Sequence, residues 1–106
     1  MILTRDQIKS VELKTRQVDM PEWGGAVIIR ELTAAEVSEG AKVARDNSQD
    51  TVIKTVIQAT IDENGDRLFD DGDAEWLIEK GFAPLLRMAQ EIQELTGIKR
   101  DKNPNH

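Results

Sequence analysis

The chain contains no cysteine and no tyrosine, and its single histidine is residue 106. The lack of cysteine excludes disulfides, thiolate metal sites and thiol redox chemistry, and it is typical of an intracellular protein. A Ser–His pair or a histidine-bound metal would depend on His106 alone, in a segment that we expect to be mobile. We therefore expect no enzymatic activity and no cofactor.

Aromatic residues and long apolar runs are also scarce. Two tryptophans and two phenylalanines are the only aromatic side chains in 106 residues, so the core must be built from Ile, Leu, Val and Ala. No run of about 18 apolar residues could cross a membrane, and the first residues lack the basic and then apolar order of a signal peptide. We expect a cytoplasmic protein with no membrane partner.

Acidic residues are abundant and unevenly placed. The net charge is −6, and the segment from Asp62 to Glu79 alone contains eight acids and one arginine. Such a surface repels polyanions, so we expect no nucleic acid partner. Displayed along a helix, the same charges could instead imitate nucleic acid and occupy a DNA-binding protein. Residues 62–73 also resemble a calcium loop, but Arg67 stands where that loop needs glycine, and no metal is expected.

The run from Val18 to Glu36 predicts a β-hairpin followed by a helix. Pro21 fixes its own φ, and the Gly24-Gly25 pair can adopt the positive φ angles that a tight reversal needs. Thr33 and Glu36 have the spacing of a capping box, in which each side chain binds a backbone N–H at the start of a helix. The hairpin bend and the helix start are therefore both predicted by local chemistry.

The two predicted strands differ in their apolar patterns. Alternation in the first strand loses its phase near Arg16, which predicts a bend or bulge there. The second strand, from Ala26 to Leu32, has apolar residues on both faces, with Val27 and Ile29 on one face and Ile28 and Leu32 on the other. Either the helices of one monomer cover both faces, or one face meets another subunit or a partner.

Periodicity and capping residues predict the remaining elements. Apolar residues from Val52 to Thr60 repeat with the spacing of a helix that faces a core, and Asn64-Gly65 favours a tight turn between short strands. The other expected elements are a leading helix over Arg5–Lys9, a helix from Ala34 to about Asp46, and a last helix from about Pro84 to Gly97. A short helix through Glu75–Lys80 is also expected, capped by Asp70, Asp71 or Asp73 and stopped by Gly81.

These elements predict an α+β fold that is mainly helical, with an N-terminal β-hairpin packed against about four helices. Residues 1–97 are expected to form a single globular domain, since this length can bury one modest core. Residues 98–106 are expected to form a flexible basic tail.

Two segments resemble the small tail assembly chaperones of long, flexible-tailed bacteriophages. In that family an extended segment with an acidic and aromatic Pro-Glu-Trp-Gly-Gly turn leads into Val-x-Val-Arg-Glu-Leu-Thr and a helix, and an acidic Asp-x-x-Gly-x-x-Leu-Phe turn precedes the last helices. The matching residues here are Pro21, Glu22, Trp23, Gly24, Gly25, Val27, Ile29, Arg30, Glu31, Leu32 and Thr33 in the first segment and Asp62, Gly65, Leu68 and Phe69 in the second.

The resemblance implies a non-enzymatic holdase that keeps the tape measure protein soluble and helps to recruit subunits of the major tail protein. It also implies action in the host cytoplasm, absence from the mature virion, self-association, and in many members a longer frameshifted form, which here would extend the chain after Gly97. Two other functions stay open: an acidic nucleic-acid mimic or regulatory binding protein, and a minor structural component of the tail.

Candidate residues for partner contact lie at the hairpin and in the acidic segment. Tryptophan is enriched where interfaces concentrate their binding energy, but an indole ring can also fold back and close the core. Both interpretations apply to each of the two tryptophans, and whichever ring points outward marks an interface. The candidates are Trp23, Val27, Ile29, Asp70, Asp71 and Trp76.

Overall fold

The computed structural model describes residues 1–44 and 48–97. They form an α+β fold in which three antiparallel strands, in the order β1-β2-β3, pack against helices. The predicted fold class is confirmed, whereas the predicted tail over 98–106 and the expected end of the second helix lie outside the described residues. The elements are α1 (Arg5–Lys9), β1 (Thr15–Met20), β2 (Gly25–Arg30), α2 (Ala34–Ala44), α3 (Ser48–Ala59), β3 (Thr60–Ile61), α4 (Ala74–Leu77) and α5 (Phe82–Thr96).

The predicted hairpin is confirmed, and its bend is a single 3-10 turn over Pro21–Trp23. Gly24 closes this turn with a φ of 78°, and its N–H donates to the carbonyl of Pro21 at 3.2 Å. That left-handed conformation is strained for residues with a side chain, which explains the glycine. The bend therefore follows from the residues at the turn itself.

The predicted bulge near Arg16 is wrong. Strand β1 pairs with β2 without interruption from Thr15↔Arg30 to Met20↔Gly25. Val11 and Leu13, which suggested the change of phase, precede the strand and are exposed. Within the strand itself, side chains alternate regularly between the two faces.

The inner face of the sheet packs against α3 and α5 and forms the core. Met20 and Ile29 from the sheet are completely buried, as are Met88 and Ile92 from α5. Burial of an aliphatic side chain of this size contributes about 1.5–3 kcal/mol. Helix α3 adds the predicted apolar face to the same cluster, in the form of Val52, Ile53, Val56 and Ile57.

The expectation that β2 has apolar residues on both faces is corrected for Leu32. The strand ends at Arg30, and Leu32 lies beyond it in the same core cluster as Ile29. By the register, the outer face places Gln17, Ile28 and Ile61 in one row and Asp19 beside Ala26. Ile28 is half-buried and Ile61 is buried, so this face combines polar and apolar side chains, and α1, which buries none of its residues, does not cover it.

The last helix begins and ends as its sequence predicts. Pro84 occupies its first turn, and Gly97 ends it with a φ of 95° while its N–H donates to the carbonyls of Gln93 and Glu94. The hydroxyl of Thr96 accepts from the N–H of Leu32 at 2.9 Å. This bond ties the end of α5 to the segment that follows the hairpin.

Candidate partner-binding surface

The turn that follows β3 is organised by one aspartate. The Oδ1 atom of Asp62 accepts from the backbone N–H of Asn64 at 2.8 Å and of Asp66 at 3.0 Å, and Gly65 supplies the positive φ of 88°. The predicted strand pair is reduced to β3 and one isolated bridge between Ile61 and Arg67. The acidic side chains here shape the backbone, as Asx turns do.

Helix α4 follows a 3-10 turn over Asp71–Asp73 that begins with a reciprocal cap. Asp70 accepts from the N–H of Asp73 at 3.2 Å, and the carboxylate of Asp73 accepts from the N–H of Asp70 at 2.8 Å. The indole N–H of Trp76 donates to Asp73 at 2.7 Å, and this bond lowers the pKa of that carboxyl. Asp71 instead pairs with Arg67 at 3.0 Å. Of the three predicted capping residues, Asp70 therefore caps the 3-10 turn, and Asp73 is the N-cap residue of α4 without a side-chain bond to that helix's backbone.

The predicted stop of α4 at Gly81 is wrong. The helix ends at Leu77, and Gly81 immediately precedes α5. Leu77 is 1% exposed, whereas Ile78 is 63% exposed and Trp76 is 43% exposed. A helix of four residues has one inward position, which Leu77 takes, so both of its apolar neighbours remain in solvent.

Trp76 lies on the surface in a fixed setting. Its ring meets the ring of Phe69 edge to face, with centroids 5.8 Å apart, and the ammonium of Lys80 lies 5.9 Å from the ring centroid. Edge-to-face packing contributes about 0.5–1.5 kcal/mol beyond buried area. The interpretation in which this indole closes the core is wrong, although the ring is held in one orientation.

A groove runs between α2, α3 and the segment around α4, with a volume of about 480 Å³. We call it the acidic groove. Its apolar lining consists of Ile53, Ile57, Ala74 and Ile78. Four carboxylates surround this lining against two cations, Lys54 and Arg67; the carboxylates are those of Glu36, Glu39, Asp50 and Asp71.

One wall of the groove is held by Arg30. Its guanidinium makes two bonds of 2.8 Å to Glu36 and donates to the carbonyls of Glu31 and Gln58 at 2.8 and 2.7 Å. Glu36 also completes the predicted capping box, since it accepts from the N–H of Thr33 at 2.9 Å. The bond from Arg30 keeps the pKa of Glu36 below its ordinary value. These contacts join β2 to the start of α2 and the end of α3.

The hairpin turn carries the other tryptophan. Trp23 is 40% exposed, so its ring does not close the core. The adjacent Glu22 makes two bonds to Arg87 of α5, at 2.6 and 2.7 Å. These bonds lower the pKa of Glu22 from its ordinary 4.5 to about 2, and they place the hairpin turn beside the N-terminal half of α5.

We expect the Glu22–Arg87 pair to stabilise the fold in a pH-dependent way. Because the pKa of Glu22 is lower in the folded state, its contribution is present above about pH 4.5 and is lost as the pH falls towards 2. The difference in melting temperature between the native chain and E22Q should shrink over that range. An NMR titration should also show a raised pKa of Glu22 in R87A, and an unchanged low pKa there would contradict the assignment.

The structure places the candidate residues at the surface, at the edge of the core and inside it. Asp70, Asp71 and Trp76 lie together around α4, and Trp23 lies on the hairpin turn. Val27 is half-buried against the core. Ile29 is completely buried, so as a candidate for surface contact it is corrected: its side chain packs against the helices.

Several exposed apolar residues have no counterpart in the sequence prediction. The exposure of these side chains could not be predicted from hydrophobic periodicity, because α1 and α4 each span only about one turn. Near the end of a helix, packing against the rest of the fold decides which side chains are exposed. They are Met1, Ile2, Leu3, Ile8, Val11, Leu13, Leu68, Ile78 and Phe82.

No group of three or more His, Cys, Asp or Glu side chains within 1–44 and 48–97 is arranged to hold a metal ion. None of the helices in that part of the chain combines the length and the apolar character of a membrane span.

Comparison with known proteins relates the fold of this chain to a solved structure. No protein-family model and no curated protein sequence matches the chain. Among solved structures, the tail assembly chaperone of bacteriophage HK97 superposes with a TM-score of 0.67 at 18% sequence identity, over 90% of this chain and 95% of that one. The resemblance noted in the sequence is thus confirmed at the level of the fold: the chain has the fold of a bacteriophage tail assembly chaperone.

Proposed function

We propose that this chain is a non-enzymatic tail assembly chaperone that binds the tape measure protein and keeps it soluble until the tail tube encloses it. The observation that carries the proposal is the fold, which nine tenths of the chain share with the HK97 tail assembly chaperone. We extend the proposal to recruitment of the major tail protein, action in the host cytoplasm and absence from the mature virion.

Exposed aromatic residues on a closed body support the proposal. A holdase must keep apolar surface accessible while its own core stays folded. Here the core between the sheet and the helices is buried. Trp76 and Phe82 lie within seven residues of each other and are 43% and 49% exposed. Aromatic side chains in such positions are the usual anchors of interfaces. An amphipathic helix of the tape measure protein would present the apolar stripe that they fit.

The distribution of charge also supports this function. Carboxylates around α4 favour a partner whose apolar stripe is flanked by Lys or Arg and disfavour acidic partners. They also keep a body with exposed aromatic rings soluble. In contrast, Asp62, Asp70 and Asp73 serve local turns and caps, and the α-helix within the acidic segment, α4, has only four residues.

Tryptophan fluorescence provides the test, since the chain has two tryptophans and no tyrosine. A titration with helical segments of the tape measure protein should shift the emission to shorter wavelength as an exposed indole becomes buried. The variants W23F and W76F separate the two reporters, and we expect the shift to persist in W23F, where only Trp76 reports. Segments with the same composition but a scrambled apolar stripe are the control.

The outcomes separate this function from its alternatives. Binding that survives high salt supports apolar contact, whereas binding that falls steeply with ionic strength would indicate an acidic mimic. No shift with any segment of the tape measure protein, in either variant, would contradict the proposal.

A further inference from the structure

The indole ring of Trp76 is held in place although it lies in solvent. Its edge-to-face contact with Phe69 ties it to a side chain that packs against the core. Its N–H donates to the Oδ1 atom of Asp73 at 2.7 Å, and the ammonium of Lys80 lies 5.9 Å from the ring centroid. Exposed side chains ordinarily change rotamer freely, so these contacts restrict a motion that the ring would otherwise have.

Asp73 fixes the ring and is itself fixed. Its two carboxylate oxygens have separate partners: Oδ1 accepts from the indole N–H, and Oδ2 accepts from the backbone N–H of Asp70 at 2.8 Å. The carboxylate therefore cannot turn away from the indole without breaking the cap of the 3-10 turn. The indole bond also lowers the pKa of Asp73, so the acceptor is ionised at neutral pH, and a bond to an ionised acceptor is roughly twice as strong as one between neutral groups.

The same bond decides what the ring offers to a partner. An indole has one hydrogen-bond donor and no acceptor, and this donor is already bound to Asp73. The exposed part of the ring therefore presents carbon surface alone. A polar side chain buried against it would lose its bonds to water and find none on the ring, whereas an aliphatic side chain has no such bonds to lose.

We propose that Asp73 is the positioning residue for partner recognition: it holds the ring of Trp76 in one orientation and keeps its N–H from the partner, so that the ring selects an aliphatic side chain over a polar one. This inference rests on the proposed function, in which Trp76 contacts the apolar stripe of the tape measure protein. A ring that is ordered beforehand does not have to be immobilised on binding, and this raises the affinity.

The variant D73A tests this role in the full chain. In a W23F background Trp76 is the remaining tryptophan, and its fluorescence anisotropy decay should show a ring that moves with the body. D73A should add a fast motion of the ring. D73A should also weaken binding of helical segments of the tape measure protein by about 3- to 10-fold, since one side chain must then be ordered on binding.

The selection for an aliphatic partner has its own measurement. Each residue of the apolar stripe in those segments is replaced in turn by glutamine, and the affinities are measured for the native chain and for D73A. We expect the glutamine that faces Trp76 to weaken binding more in the native chain than in D73A, where the indole N–H is free to bond. A loss of stability alone would not change this ratio.

Two further variants keep the test decisive. D70A removes the other half of the cap and leaves the acceptor of the indole N–H in place, so it should bind nearly like the native chain. Replacement of Trp76 by benzothienylalanine keeps the shape of the ring and exchanges its N–H for sulfur. That variant should weaken binding as D73A does, and it takes the place of D73A if D73A does not fold.

The outcomes separate this role from the proposed function. Binding that D73A leaves unchanged, equal effects of D73A and D70A, or a ring that is equally mobile with and without the Asp73 carboxylate would each overturn the role of Asp73 and leave the chaperone function standing. A native chain that binds no segment of the tape measure protein would contradict both.

Discussion

Replacement of Ile29 by alanine should lower the free energy of unfolding by about 2–5 kcal/mol, since the variant leaves a cavity in a closed core. Ile29 has no exposed surface and belongs to the cluster that joins the sheet to α3 and α5. In a domain of this size, that loss corresponds to a fall in melting temperature of roughly 10 °C or more. Chemical and thermal unfolding followed by circular dichroism would measure it.

The same substitution at Ile78 is the matched control. That side chain is 63% exposed, so I78A should change the unfolding free energy by less than about 0.5 kcal/mol. The pair therefore compares one residue type inside and outside the core. A small effect of I29A, or equal effects of the two substitutions, would contradict the assignment of Ile29 to the core.

Removal of the Arg30 side chain should cost about 2–4 kcal/mol. The guanidinium donates hydrogen bonds to Glu36 and to the carbonyls of Glu31 and Gln58, and the Arg30 side chain is only 15% exposed. R30A leaves the carboxylate of Glu36 partly buried without its cation, and it removes the link between β2, α2 and α3. Urea denaturation of R30A would measure the loss.

Arg16 provides the comparison for this prediction. It also binds two carboxylates, those of Glu91 and Glu94, but its side chain is 36% exposed. Exposed pairs contribute about 0–1 kcal/mol, so R16A should be far milder. The double variant R30M/E36Q should recover part of the loss, because it removes the unpaired charge. Equal effects of R30A and R16A would contradict the structural role given to Arg30.

Features determined by residues that are close together in the sequence could be predicted. The capping boxes Thr4/Gln7 and Thr33/Glu36 both form, because each needs only side chains three residues apart. The hairpin turn and the end of α5 follow from glycines that adopt positive φ at 24 and 97. Local chemistry determines these points whatever the rest of the fold does.

Features that depend on packing could not be predicted in the same way. Trp23 and Trp76 are exposed because neighbouring residues occupy the core instead. In a helix as short as α4, hydrophobic periodicity covers too few residues to predict which side chain is buried. The early end of α4 and the position of Leu32 beyond β2 have the same origin. The acidic groove combines α2, α3 and the segment around α4, so no single stretch of sequence displays it.

The structure separates the residues that stabilise the fold from those that are open to a partner. Ile29 was a candidate for contact and belongs to the core, whereas Trp76 is held at the surface by Phe69 and Asp73. A fixed, exposed indole loses little conformational entropy when it binds, which favours its use as an anchor. In the proposed function this anchor meets the apolar stripe of the tape measure protein.

Co-expression with the tape measure protein tests the central claim most directly. We expect the native chain to raise the soluble fraction of that protein severalfold, and we expect W76S/F82S, which removes two exposed aromatic side chains, to lose most of this effect while remaining folded. A control variant, Q17A, alters a polar residue on the outer face of the sheet and should act like the native chain. A tape measure protein that stays equally insoluble with and without the native chain would contradict the account.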